Sequence, residues 1–297
     1  ICLEAVVPIG EDRLKSPLWP MPSTLPSNLV AFSETLAKEQ LSPGISNLVQ
    51  EAMEKGLTSG FTPAFVSAAY LYDFTKDRRY LEFAEEMAAA LPAVWQKHYQ
   101  AWSASPGGVR LNSHGIVAPN TLNLGWRIGG TQRSPYLYGL GGNERGGGMG
   151  SIAYAFEIIS PEMDAGLCRQ IIEGFFLPAA IHCRNHYIGD MNQQCTANLV
   201  ALYGGLRARN WPLVSFAYSS EHGIRDLIEW GFDDDGCTLR KNYQTYNIRP
   251  LFWTLELLRF RGINLYAEYA SRLTTIVKAD SAAKGRGAPF EDMYFWA

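Results

Sequence analysis

The stretch "DDDGCTLRKNYQTYNIRP", from Asp233 to Pro250, sets two tyrosines three residues apart among three cations. A phenol ionises near pH 10 and is a poor base at neutral pH. A neighbouring cation favours the phenolate. Arg240, Lys241 and Arg249 would therefore make Tyr243 and Tyr246 better proton acceptors, and would also attract an anionic ligand. The plainer alternative is that both rings pack at the rim of a helix bundle with their hydroxyls near water. A second polar cluster lies upstream in "GDMNQQCTANLVALYGGL", where Asn192, Gln193 and Gln194 open an apolar helical stretch. Helix capping accounts for Asn192, but three consecutive amides exceed the needs of one cap. They can serve as donors that project from a helix start into a loop-lined space.

The histidines divide by context. His98 and His182 fall inside apolar helical patterns and read as packed or hydrogen-bonded imidazoles, and His222 reads as a helix-surface residue. His114, in the glycine-rich "NSHGIV", and His186, at a helix end in "RNHYIGD", remain as candidate catalytic groups. No HExxH and no Cys/His cluster has metal-ligand spacing, so no metal site is expected. A GxSxG nucleophile elbow is absent too. Two carboxylates across a cleft would serve glycoside hydrolysis, and Asp190 with Asp233, Asp234 or Asp235 offers such a pair. An aspartate run ending in glycine is equally a turn signature. The glycine-rich "GLGGNERGGGMG" lacks both the GK[ST] ending and the GxGxxG pattern, so no nucleotide and no other cofactor is expected.

Composition narrows the classes further. The chain has 297 residues, with 26 Lys and Arg against 29 Asp and Glu and a net charge of -3. No global positive field exists to collect nucleic acid, and a polyanion must be met by a local cation cluster. No apolar run approaches the length of a membrane span. The start lacks the basic flank and long apolar centre of a secretory signal, as a mature exported chain would after cleavage. Five cysteines, without a CxxC pair, read as buried thiols, with room for one disulfide.

Helical periodicity fills most of the chain. Residues 1–26 are proline-rich and read as an irregular arm, and residues 27–297 as one helical domain. Apolar spacing predicts a helix over 27–41, another capped by Ser46 and stopped at Gly56, and one from about Pro63. After a turn at Thr75–Arg79 comes an alanine-rich helix, then further helices at about Gly150–Ile159, Glu162–Tyr187, Asn192–Arg207, Leu213–Trp230, Ile248–Phe260 and Leu265–Val277. Period-two alternation is almost absent, so few or no strands are expected. Antiparallel helical hairpins in such number form either a closed toroid or an open solenoid, and unlike repeats favour an all-α (α/α) toroid, an incomplete barrel. Two long glycine-rich loops interrupt it and are placed to cover a cleft.

On "MNQQC" followed by a small-residue helix, then "DDDGCTLRKNYQTYNI", then the closing "VKADSAAKGRGAPFEDMYFWA", the chain resembles the heparinase II/III-like and alginate lyase-like polysaccharide lyases. The likeness covers roughly Asp190 to the C-terminus and, more loosely, the "YLYDFTKDRRYLEFA" hairpin. It departs from the pattern in three ways. Many relatives carry Asn-His where this chain has "GDMNQQ", with His186 as a displaced counterpart. Leu239 and Arg240 stand where a glutamate is common. The frequent C-terminal β-sandwich has no counterpart in these residues, which fits a single-domain member or a portion of a longer protein.

The resemblance implies β-elimination on a uronic-acid-containing anionic polysaccharide, and a periplasmic or extracellular location. The site must neutralise the carboxylate beside C5 and stabilise the enolate-like charge, a task that falls to Asn192 with Gln193 or Gln194. The Y-x-x-Y pattern implies Tyr243 as catalyst and Tyr246 as its support, with His186 or His114 as opposing base or carboxylate neutraliser. Arg240 and Arg249 would bind the polyanion. Trp126, Arg127 and Tyr136, in the glycine-rich loops, would form a sugar platform and a carboxylate contact, or pack within those loops. A toroidal glycoside hydrolase using paired aspartates and a non-catalytic carbohydrate-binding toroid are the competing functions.

Overall fold

The computed structural model describes residues 44–55, 57, 61–98, 109–111, 117–119, 149–185, 191–221, 223–238 and 244–283. The expected arm over 1–26 and the helix expected over 27–41 lie outside them. The described fold is all-α. Its helices are α1 (Gly44–Lys55), α2 (Phe61–Thr75), α3 (Arg78–His98), α4 (Met149–Ile159), α5 (Ala165–Ile171), α6 (Leu177–Asn185), α7 (Met191–Ala208), α8 (Trp211–Ser219), α9 (Ile224–Trp230), α10 (Gln244–Phe260), α11 (Leu265–Glu268) and α12 (Ala270–Ala283). A π-helical turn, Ile172–Phe176, joins α5 to α6. Among the described residues, strand is confined to an antiparallel ribbon in which β1 (Val109–Leu111) pairs with β2 (Val117–Pro119).

Helix boundaries follow local chemistry. Asp164 caps α5 by accepting from the amides of Gly166 at 2.8 Å and Leu167 at 3.0 Å. Asn210 caps α8 and Asn264 caps α11 in the same way. Between α7 and α8, Arg209 takes a φ of 54° and the Asn210 amide returns to the Gly205 carbonyl at 2.8 Å. That return closes the open carbonyls of α7 and reverses the chain within two residues.

Several boundaries differ from those expected. Ser46 lies inside α1, which already begins at Gly44, and so is not its cap. The expected Glu162–Tyr187 helix starts at Ala165 because Asp164 caps it, and the π turn interrupts it. The span Leu213–Trp230 is two helices, since the backbone is extended at Ser220 and turns through a bond from the Gly223 amide to the Ser220 carbonyl. Leu265–Val277 is likewise broken, at Tyr269. Conversely α10 begins at Gln244 rather than near Ile248 and runs through Pro250, as α3 runs through Pro92.

Burial sorts the helices into two layers. Ile152–Ile159 of α4, Gln194–Arg207 of α7 and Pro250–Leu258 of α10 are buried without a break, as are the described side chains of α2 from Phe61 to Tyr72. A helix apolar or buried on all sides belongs inside a larger core. By contrast α1, α3, α8 and α12 alternate buried and exposed faces. The inner helices contact one another in chain order, α2 on α4, α4 on α7 and α7 on α10, while α3 covers α2 and α8 covers α7.

The inner helix α7 is tied to its neighbours by close approach and by a buried ion pair. A Cβ on Gly204 of α7 would stand 2.5 Å from the Phe176 carbonyl oxygen and 2.7 Å from the Ala180 Cβ, and one on Gly205 would meet Leu213 and Val214 of α8 at about 3.0 Å. Arg207, with no exposed surface, bonds Glu157 of α4 through Nη2 and through Nε at 3.0 Å. Tyr203 donates to the same carboxylate at 2.6 Å. The guanidinium also stands over the rings of Phe156 and Tyr203. Burial alone would lower the Arg207 pKa, but the Glu157 carboxylate and Tyr203 outweigh it and raise the value.

Replacing Gly204 with alanine should destabilise the fold by about 1–3 kcal/mol, the usual range for overpacking, even though alanine is the better helix former. Urea denaturation reads the change, and an equal or higher midpoint would show that α6 and α7 are not in such close contact. A second expectation concerns pH. Burial raises the pKa values of the Cys183 and Cys195 thiols and of the Tyr70, Tyr154 and Tyr203 phenols. Below about pH 8, both folded and unfolded chains keep these protons, given ordinary values of about 8.5 and 10. As pH rises through those ordinary values only the unfolded chain releases them, so stability falls by up to about 1.4 kcal/mol per pH unit for each group. Denaturation midpoints should therefore drop steadily from about pH 8 to pH 11. A flat profile would mean that these groups ionise within the fold.

Candidate functional site

Two of the inner helices carry the polar clusters singled out in the sequence. Asn192 and Gln193 lie in the first turn of α7, and Tyr246 and Arg249 in the first two turns of α10. Because α7 and α10 pack together, the amide cluster and the tyrosine segment belong to neighbouring helices. Gln194 is 1% exposed and its Nε2 donates to Asn198 Oδ1 at 2.9 Å, one turn along α7. This amide therefore lies in the interior, bonded along its own helix. Tyr243, His186, Arg240, Lys241, His114, Trp126, Arg127, Tyr136 and Asp190 lie outside the described residues.

The approach to α10 is the best defined part of the region. Asp233 forms a turn: its amide donates to the Cys237 carbonyl at 2.8 Å, its carbonyl accepts from Gly236 at 2.9 Å, and its carboxylate accepts from the Cys237 amide at 2.7 Å. Such a bond from a carboxylate to the main chain satisfies the turn's backbone locally, and it engages the Asp233 side chain. Asp234 and Asp235 are exposed. Gly236 has a φ of 80°, and a Cβ there would lie 2.6 Å from the Thr275 carbonyl carbon and oxygen of α12. Only glycine fits both the backbone angle and the space.

Arg272 of α12 holds the same segment from the other side. Its guanidinium donates to the carbonyls of Ile228 at 3.1 Å, Asp233 at 2.7 Å, Glu229 at 3.3 Å and Phe232. These are the open carbonyls that a helix end leaves and the first carbonyls of the turn, so one cation satisfies the C-terminus of α9 where the dipole also favours positive charge. Gln244, the first residue of α10 and 2% exposed, closes the assembly. It accepts from the Thr238 amide through Oε1 and donates to the Gly236 carbonyl through Nε2, both at 2.7 Å.

The chain matches no known family model and no curated protein. What it can do is therefore read from its own residues. Among the described residues no three His, Cys, Asp or Glu side chains gather as metal ligands, and no helix is long and apolar enough to cross a membrane. His182 is buried on α6, as its apolar setting suggests, and Cys168, Cys183 and Cys195 are buried free thiols. The sequence marks Gly236 as a turn glycine, but not Gln244 or Arg272 as its supports. The DG pair signalled a turn, but nothing in the local pattern marks an arginine 39 residues beyond Asp233 as the partner of its carbonyl.

Replacing Gly236 with alanine is expected to cost at least about 2 kcal/mol, combining a left-handed φ with a backbone clash. Chemical denaturation measures it. Unchanged stability would remove the contact between this turn and α12.

Proposed function

We propose that the chain is a polysaccharide lyase of the heparinase II/III-like and alginate lyase-like kind, acting outside the cytoplasm on a uronic-acid-containing anionic polysaccharide. The observation that carries the reading is the packing of α7 on α10, which places the amide-bearing helix start and the tyrosine-bearing segment on adjacent inner helices. The order of the inner helices, α2, α4, α7 and α10, with amphipathic partners outside them, supports an (α/α) toroid, an architecture suited to a cleft at one end of the ring.

In this reading the reaction is an elimination with no redox change. Asn192 and Gln193 donate to the substrate carboxylate and so make the C5 proton more acidic. A phenolate, Tyr243 with Tyr246 as support, takes that proton, the C5 electron pair forms the C4–C5 double bond, and the C4–O bond breaks. The leaving oxygen takes a proton from a neighbouring acid, a role for the tyrosine itself or for His186 or His114. Arg240, Lys241 and Arg249 favour the phenolate and attract the polyanion. Trp126, Arg127 and Tyr136 complete the substrate contacts. The buried Gln194 supports the amide cluster rather than touching the sugar.

Incubation of the protein with alginate, glucuronan, glycosaminoglycan and ulvan tests this reading. Ultraviolet absorbance of the unsaturated product should rise on at least one polymer, and Tyr243→Phe should reduce the rate by about 100-fold or more. Reducing ends without absorbance would transfer the function to a hydrolase dependent on Asp190 or Asp235. Binding without either product would make the chain a carbohydrate-binding protein.

A further inference from the structure

A polar side chain at a helix start commonly serves that helix's own open amides. In a cap, the side chain accepts from amides two or three residues further on. Gln244 does the opposite: both ends of its amide reach backwards, to the carbonyl of Gly236 and the amide of Thr238. Donor and acceptor are used together, so the side chain is fixed in orientation as well as in distance. The segment it grasps is itself immobilised, by the contact of Gly236 with α12 and by the Arg272 bonds to the carbonyls of Phe232 and Asp233. Tyr243 directly precedes Gln244 in the chain, and Tyr246 lies two residues after it on the same turn.

We propose that Gln244 is the positioning residue of the tyrosine segment, its amide clasp on Gly236 and Thr238 setting where the start of α10 delivers Tyr243 and Tyr246. The inference rests on the lyase reading above. Gln244 touches no substrate; it acts through Tyr243 just before it and Tyr246 two residues after it. Misplacement of a reacting group by about 1 Å can cost 100-fold in rate, so a clasp at this place bears on turnover more than on substrate affinity.

Two variants test it on the polymer that yields unsaturated product. Gln244→Ala removes both bonds and should lower kcat about 10- to 100-fold with KM nearly unchanged. Gln244→Glu keeps the shape: as a neutral acid its hydroxyl donates to the Gly236 carbonyl and its carbonyl oxygen accepts from Thr238, whereas the carboxylate has no donor and faces the Gly236 oxygen. Its kcat relative to the unaltered protein should therefore rise as pH falls and decline as pH rises, at temperatures where far-ultraviolet circular dichroism shows both proteins folded. If Gln244→Ala does not fold, that pH ratio alone decides. A Gln244→Ala enzyme with full kcat, activity that falls only in proportion to folded protein, or a Gln244→Glu profile parallel to the unaltered one would overturn the inference and leave the lyase reading standing. No unsaturated product from the unaltered protein on any polymer would overturn both.

Discussion

The close approach of α7 to its neighbours is the constraint on which the described fold depends. Gly204 and Gly205 lie near the C-terminal end of α7, within a helix where glycine is about 1 kcal/mol less favourable than alanine. Gly204 against the Phe176 carbonyl leaves no room for a side chain, and Gly205 stands tight against the first turn of α8. Helical preference is thus given up for contact, and α7 becomes the element that α4, α6, α8, α9 and α10 all meet. The tight reversal at Arg209 and Asn210 then follows, because α8 must return along the face that Gly205 has opened.

Within that buried interior, an arginine, a glutamate and a tyrosine need a physical reason. Removing two charges from water is expensive, and a buried pair is often no more stable than apolar residues of equal volume. Here Arg207 gains two bonds to Glu157, the same carboxylate takes the Tyr203 hydroxyl, and two aromatic faces lie beside the guanidinium. Such a set is satisfied only when α4 and α7 meet at one register. Apolar packing tolerates small slips between helices; a carboxylate shared by two donors does not. The network therefore specifies alignment, and loss of one partner would leave an uncompensated buried charge, at about 3–5 kcal/mol in comparable pairs.

Helix content was legible because apolar residues recur at helical spacing, and the ends of α4 and α7 agree with expectation within about one residue. The missed features are those where tertiary contact overrides local preference. Ser220 to Gly223 breaks a pattern that reads as one continuous helix, and the π turn at Ile172–Phe176 leaves no mark in the sequence. The expected start of α10 near Ile248 is four residues late, because Gln244 anchors the helix start to the preceding loop. Of the candidate site, the amide cluster's place at a helix start was readable from its position before an apolar run. The burial of Gln194 was not, since an amide in a helical stretch carries no sign of which way it faces.

The two halves of the candidate region are held by different physics. The helix start that carries Asn192 and Gln193 continues into a body fixed by packing and by the buried Arg207–Glu157–Tyr203 network, with Gln194 bonded to Asn198 along the way. The start of α10 is fixed by hydrogen bonds that run from main chain to side chain, through Gln244 to the turn and through Arg272 from the turn to α9 and α12. Packing constrains a helix as a whole, since displacing one turn disturbs every contact along the axis. Side-chain bonds to main chain constrain a single turn and can be altered one residue at a time. The tyrosine segment is therefore the half that can be retuned without remaking the core, and the amide-bearing helix is the fixed reference against which it is set.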